Sequence, residues 1–162
     1  MKNNYFVGGL ITLSLVVLSG CDRQPSAQIQ PAMVSQESFV AAGDYEVHYN
    51  ALRTDQLTAD IARTYGIERS KNKVLLNISV LHKMPGSSTA VASDATVEVL
   101  VRNLNGQIKN IQLRRIAEAA ATYYIGDVSF SGSETLVFEI KATPTGSGTP
   151  ITATLTREFF AN

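Results

Sequence analysis

From Phe39 to the end of the chain, apolar residues recur at every second position, the spacing of strands that bury one face and wet the other. Tyr45, Val47 and Tyr49 alternate with Glu46, His48 and Asn50. Val74, Leu76, Ile78 and Val80 repeat the pattern, while Leu75 and Leu81 sit in the opposite phase, so 73–82 reads as a central strand covered on both faces for part of its length. Val97, Val99 and Val101 alternate with Glu98 and Arg102, and Asn105-Gly106 follows; this predicts a β-hairpin of 95–103 with 107–116 around a type I′ turn. The segments 123–125 and 128–130 flank Gly126-Asp127, where a bend is expected. Leu136, Phe138, Ile140 and Ala142, then Ile151, Ala153 and Leu155, give two more strands, separated by loop residues 144–148.

One segment breaks the period of two. In 54–66, Leu57, Ile61 and Tyr65 fall four apart, Thr58 suits an N-cap, Asp60 favours the helix dipole, and Gly66 suits a left-handed C-terminal position. A short crossover helix over about 58–65 is expected. About seven alternating strands and one short helix predict an all-β fold, an antiparallel β-sandwich of the immunoglobulin or fibronectin kind over 39–162, with a small β-barrel as the alternative. The cysteine pair and buried Trp of antibody domains are absent, since Cys21 is the one cysteine and there is no Trp.

The first 38 residues are of another kind. Lys2 precedes an uncharged apolar run from Phe6 to Leu18, too short for the ~20 residues of a spanning helix. Leu18-Ser19-Gly20-Cys21 then reads as a bacterial lipobox, which makes 1–20 a signal peptide and Cys21 the lipidated N-terminus of the mature chain. The competing readings are a buried helix of the mature fold or a plain signal peptide with an incidental cysteine. Two or three acyl chains hold a protein on a membrane, whereas one binds reversibly. Residues 21–38, rich in Gln, Ser, Ala and Pro, read as a flexible tether, although Ile29, Met33 and Val34 could form a short docking strand. The implied address is the periplasmic side of the cell envelope; Asp22 favours retention on the inner membrane over the outer.

Composition narrows the functions further. Fourteen basic residues balance fourteen acidic ones, and losing Lys2 leaves a slight acidic excess, so there is no electrostatic case for binding nucleic acid. Lipidation consumes the only thiol, leaving none for a disulfide, a thiolate metal site or a cysteine nucleophile. His48 and His82 are the only imidazoles; a zinc site would need distant carboxylates as well, and no metal and no cofactor is expected.

Several blocks carry a resemblance: His48-Tyr49-Asn50-Ala51, the run from Tyr65 to Lys73, Leu75-Leu76-Asn77-Ile78-Ser79-Val80-Leu81, Asn103-Leu104 with Gly106-Gln107, Tyr123-Tyr124-Ile125, Glu134-Thr135-Leu136 with Phe138, and Glu158-Phe159-Phe160. In this order they resemble the bacterial family called domain of unknown function 4426, across essentially all of 40–160. Lys73 stands where Arg is expected, and Phe160 where Tyr is common. The resemblance implies a secreted or envelope-anchored proteobacterial domain with no assigned reaction and no catalytic residue to carry over.

The densest polar cluster is Glu68-Arg69-Ser70-Lys71-Asn72-Lys73. Arg69 could offer a planar fork to an anion and Lys71 a point charge, but the ordinary role of such a run is a solvated loop guarding an apolar strand. Ser70 beside Lys71 suggests a Ser-Lys nucleophile, yet no local sequence announces the dry pocket and oxyanion hole it would need. Asn77, an amide within an apolar strand, must be hydrogen-bonded if buried and is expected to tie down a neighbouring loop or edge. Tyr49, Phe138 and at least one of Tyr123 and Tyr124 are expected in the core. The reading favoured is a non-enzymatic envelope lipoprotein that binds another envelope protein; the rival is a small-molecule or anion-binding module, or weak hydrolase, centred on His48, Arg69, Lys71 and Asn77, with Asn50 as a further candidate binding residue.

Overall fold

In a computed structural model of the protein, residues 38–87 and 89–161 are described. The lipobox, Cys21 and nearly all of the tether lie outside them. Among the described residues ten strands form two antiparallel sheets. The first sheet contains β1 (Ser38–Ala42), β2 (Tyr45–Arg53), β3 (Lys73–Lys83), β8 (Thr122–Ser129) and β7 (Arg114–Ala117), in that order, with β4 (Ala90–Ala92) also paired to β3. The second runs β10 (Ile151–Phe160), β9 (Ser133–Pro144), β5 (Ala95–Asn103), β6 (Ile108–Lys109). Two separate sheets make this a sandwich and exclude the barrel.

The alternation read from the sequence sorts side chains as expected. Val47, Tyr49 and Ala51 of β2 and Val74, Leu76, Ile78 and Val80 of β3 face Leu136, Phe138 and Ile140 of β9 and Ile151, Ala153 and Leu155 of β10 across one core. Tyr124 joins this core and its hydroxyl accepts from the Ala95 amide at 2.7 Å, while Tyr123 points to the other face. β3 is the central strand of its sheet, and its second face is covered where Leu75 predicts it.

That cover is the helix. α1 (Ala59–Thr64) begins at Thr58, whose Oγ1 accepts from the Ile61 amide at 3.3 Å, and ends before Gly66 at φ +59°. Leu57, Ile61 and Ala62 form a second, smaller core with Leu75 of β3 and Ile125 of β8, edged by Tyr65 and Tyr123. The fold therefore has three layers over half of its first sheet: helix, sheet, sheet.

Three expectations about the middle of the chain are corrected. The hairpin after β5 closes through residues 104–106, not through a two-residue type I′ turn: the Gly106 amide donates to the Asn103 carbonyl, Gly106 takes φ +79°, and the Asn103 amide donates to the Gln107 carbonyl. This is a type I turn with a glycine bulge. The returning strand expected over 107–116 breaks after Lys109; residues 110–113 cross the side of the sandwich, and β7 pairs with β8 in the other sheet. Gly126 marks no bend either. It lies within continuous β8, where a Cβ would come 2.8 Å from the Gln112 carbonyl oxygen and 2.9 Å from Ile111 Cγ1. The glycine is there because the crossing segment passes directly over it.

Candidate functional site

The residues singled out from sequence fall in two separate places. Arg69 and Lys71 are exposed in the loop between α1 and β3. Arg69 donates to the Asp55 carbonyl at 2.9 Å, and Ser70 Oγ accepts from the Asn72 amide at 3.1 Å, a local turn rather than a dyad with Lys71. What organises the loop is a residue that sequence reasoning missed. Thr54 is fully buried, and its hydroxyl both accepts from the Ser70 amide at 2.8 Å and donates to the Ser70 carbonyl at 3.1 Å. Lys73 pairs with Glu68 at 2.7 Å and Asp127 at 3.3 Å, and the Glu68 carboxylate raises its pKa.

His48, Asn50 and Asn77 lie on the outer face of the first sheet, beyond the part the helix covers. Asn50 and Asn77 are directly opposed across β2 and β3, and His48 is opposed to Ser79. His48 stacks on Phe39 with centroids 5.2 Å apart and lies 3.2 Å from Glu46; Lys83, and after it His48, hold the Glu46 carboxyl below its ordinary 4.5. The other imidazole, His82, stacks on Tyr45 at 4.4 Å. Among the described residues no group of three or more His, Cys, Asp and Glu is placed to hold a metal. Asn77 does not tie down a loop through its oxygen: Oδ1 is buried without a hydrogen-bond partner.

Asn50 instead belongs to a contact between the sheets. Arg157 of β10 donates through Nη1 to Asn50 Oδ1 at 3.0 Å and to the Ala51 carbonyl. In return Arg53 of β2, oriented by Asp55 at 3.0 and 3.1 Å, donates to the Phe160 carbonyl of β10. These reciprocal arginines flank a groove of about 450 Å³ lined by Leu52, Gln56, Glu158 and Phe160 among others. No local pattern distinguishes either arginine in the sequence; their partners are about a hundred residues away.

The feature with most capacity for recognition is the free edge of β10. The Ala161 amide donates to the carbonyl of Gly132, the residue that leads into β9, whereas the Phe160 carbonyl turns away toward Arg53. Backbone groups alternate sides along an antiparallel strand, so Thr152, Thr154 and Thr156 point their N–H and C=O groups out of the sheet. Among the described residues β10 pairs only with β9. Residues 151–156 carry no charge. The other sheet ends are shorter: β1 has five residues, β6 two, and β7 four, of which two are Arg. On the outer face beside the edge is a shallow depression of about 500 Å³, lined by Glu98, Leu100, Glu139, Lys141, Thr152 and Thr154.

Against known families, residues 39–162 match the model of a domain of unknown function, DUF4426. The chain belongs to the DUF4426 family. A crystal structure of a DUF4426 protein from Pseudomonas aeruginosa PAO1 is similar at 29% identity and TM-score 0.64, over 78% of this chain and 96% of that one. FetP of uropathogenic E. coli F11 is a remoter neighbour at 12% identity and TM-score 0.47, covering 76% and 91% of the two chains. The GAE domain of yeast GGA1, at 12% identity and TM-score 0.36 over 75% and 98%, lies further away. No curated protein matches. The DUF4426 blocks recognised in sequence include Asn103 and Glu134, which the structure joins: Asn103 Nδ2 donates to Glu134 Oε1 at 2.8 Å, and Lys109 pairs with the same carboxylate at 2.8 Å. Asn103 Oδ1 also accepts from the amides of Asn105 and Gln107, so this constellation shapes a hairpin.

Proposed function

We propose that this DUF4426 protein is a non-catalytic envelope lipoprotein, anchored through lipid on Cys21 on the periplasmic side, whose sandwich binds a partner protein chain by strand addition along β10. The observation that carries the reading is the outward row of backbone groups at Thr152, Thr154 and Thr156 on an uncharged edge. Unpaired strand edges template a further strand, and natural proteins ordinarily shorten, charge or cover them. Among the described residues this domain has done so at β1, β6 and β7 but not along 151–156 of β10. The Ser70 hydroxyl is engaged in a local turn, and the five candidate polar residues are divided between a loop and a sheet face, which favours a binding role over hydrolysis.

The test is crosslinking in native envelopes with wild-type protein and Thr154→Pro. Because the Thr154 N–H faces outward, proline there removes no bond to β9, and thermal melting should change little. The expected result is an adduct between this protein and a protein chain, a second copy included, that disappears in the variant. An envelope in which no such adduct forms would refute the proposal.

A further inference from the structure

We infer that the strand added to β10 is β10 of a second copy, antiparallel and centred on Thr154, an inference that rests on the strand-addition reading above. An edge that pairs with itself about a two-fold axis must tolerate its own side chains opposite it. Centring on Thr154 sets Thr154 against Thr154 and Thr152 against Thr156, so that threonines oppose threonines on the outer face. All three are exposed, and no charge falls within 151–156. The first charges along the strand, Arg157 and Glu158, would lie opposite Ile151 and Pro150 of the other copy, so no like charges meet.

The flanking face is equally compatible with its own image. Glu98 pairs with Lys141 at 2.8 Å and Arg102 with Glu139 at 2.9 Å, neutralising the two strands beside β10. Without Lys2 thirteen basic residues stand against fourteen acidic ones, a formal net charge of −1, so long-range self-repulsion is small. The outward backbone groups of the two copies would then complete each other's hydrogen bonding and join the two four-stranded sheets into one.

The experiment is sedimentation equilibrium of the full-length protein, purified in density-matched detergent, over a concentration series. Wild type should rise from the mass of one chain to that of two, and Thr154→Pro should remain at one. Thr154→Lys and Thr154→Glu should each remain single at low salt, because like charges would oppose each other across the axis, while an equimolar mixture of the two should recover the two-chain mass. A wild type that stays single across the series overturns the inference. So does a dimer that survives Thr154→Pro, or a charge-swapped mixture that fails to associate. If the wild type is single yet the Thr154-dependent adduct with another chain still forms in envelopes, strand addition stands and the second copy does not.

Discussion

Gly126 shows how one residue position can be set by a distant piece of chain. A methyl group there would meet a backbone oxygen at 2.8 Å, and backbone cannot move aside as a flexible side chain can. Gly126→Ala is therefore expected to cost about 1–3 kcal/mol, measured by urea denaturation. Glu134 gives a complementary case. Burial alone would raise its pKa, but hydrogen bonds from Lys109 and Asn103 outweigh that and hold it below the ordinary 4.5. Since the folded-state pKa is depressed, the stabilisation is present above the unfolded value and disappears as pH falls through the folded one. Glu134→Gln should lose roughly 1.5–3 kcal/mol at neutral pH. Stability measured from pH 7 downward should then show the gap between the two proteins closing in the acid range. A constant gap would mean that the carboxylate charge is not what matters. Tyr65 illustrates the opposite direction: its hydroxyl donates to Glu118, whose carboxylate, with burial, raises its pKa from the ordinary 10 to about 12.

At the level of elements, what could be read from sequence was whatever is written in local periodicity. The alternation in 74–80 placed β3 in the centre, and the Thr58 cap, Leu57-Ile61-Tyr65 spacing and Gly66 bounded α1 almost to the residue. The sheet switch between Lys109 and Arg114 was not legible, because leaving one ladder for another depends on which edge is open in three dimensions. The type of the β5–β6 turn was likewise decided by Asn103, whose side chain accepts two amides and so specifies a three-residue loop. The candidate site was legible only residue by residue: sequence picked out Asn50 and Asn77 but could not show that Asn50 receives Arg157 while Asn77 keeps an unpartnered oxygen. The loop after α1 offers a direct test of which polar residues support it. Arg69→Ala with Lys71→Ala should change stability by no more than ~0.5 kcal/mol in thermal melts, since both are exposed. Thr54→Val, similar in shape but unable to bond Ser70, should cost about 1–3 kcal/mol in the same melts.

For the whole molecule, the two sheets share one apolar core, yet they are also fastened at their margins. The 110–113 crossing closes one side, and the paired bonds from Arg157 to Ala51 and from Arg53 to Phe160 close the other. This second closure joins the chain's first sheet to its last strand, next to the edge proposed for recognition. Such an arrangement has a mechanical consequence. The chain enters the domain at Ser38, whose pairing with Tyr49 lies partway along β2, and β1 is held to the sheet by only five residue pairs. Tension drawn through that entry and resisted by a partner gripping β10 has a short route from β1 into β2 and across the two arginines, in parallel with the apolar core that β2 and β10 share. The side-chain bonds of that margin therefore share with the core any load that passes between the anchored end of the chain and its last strand.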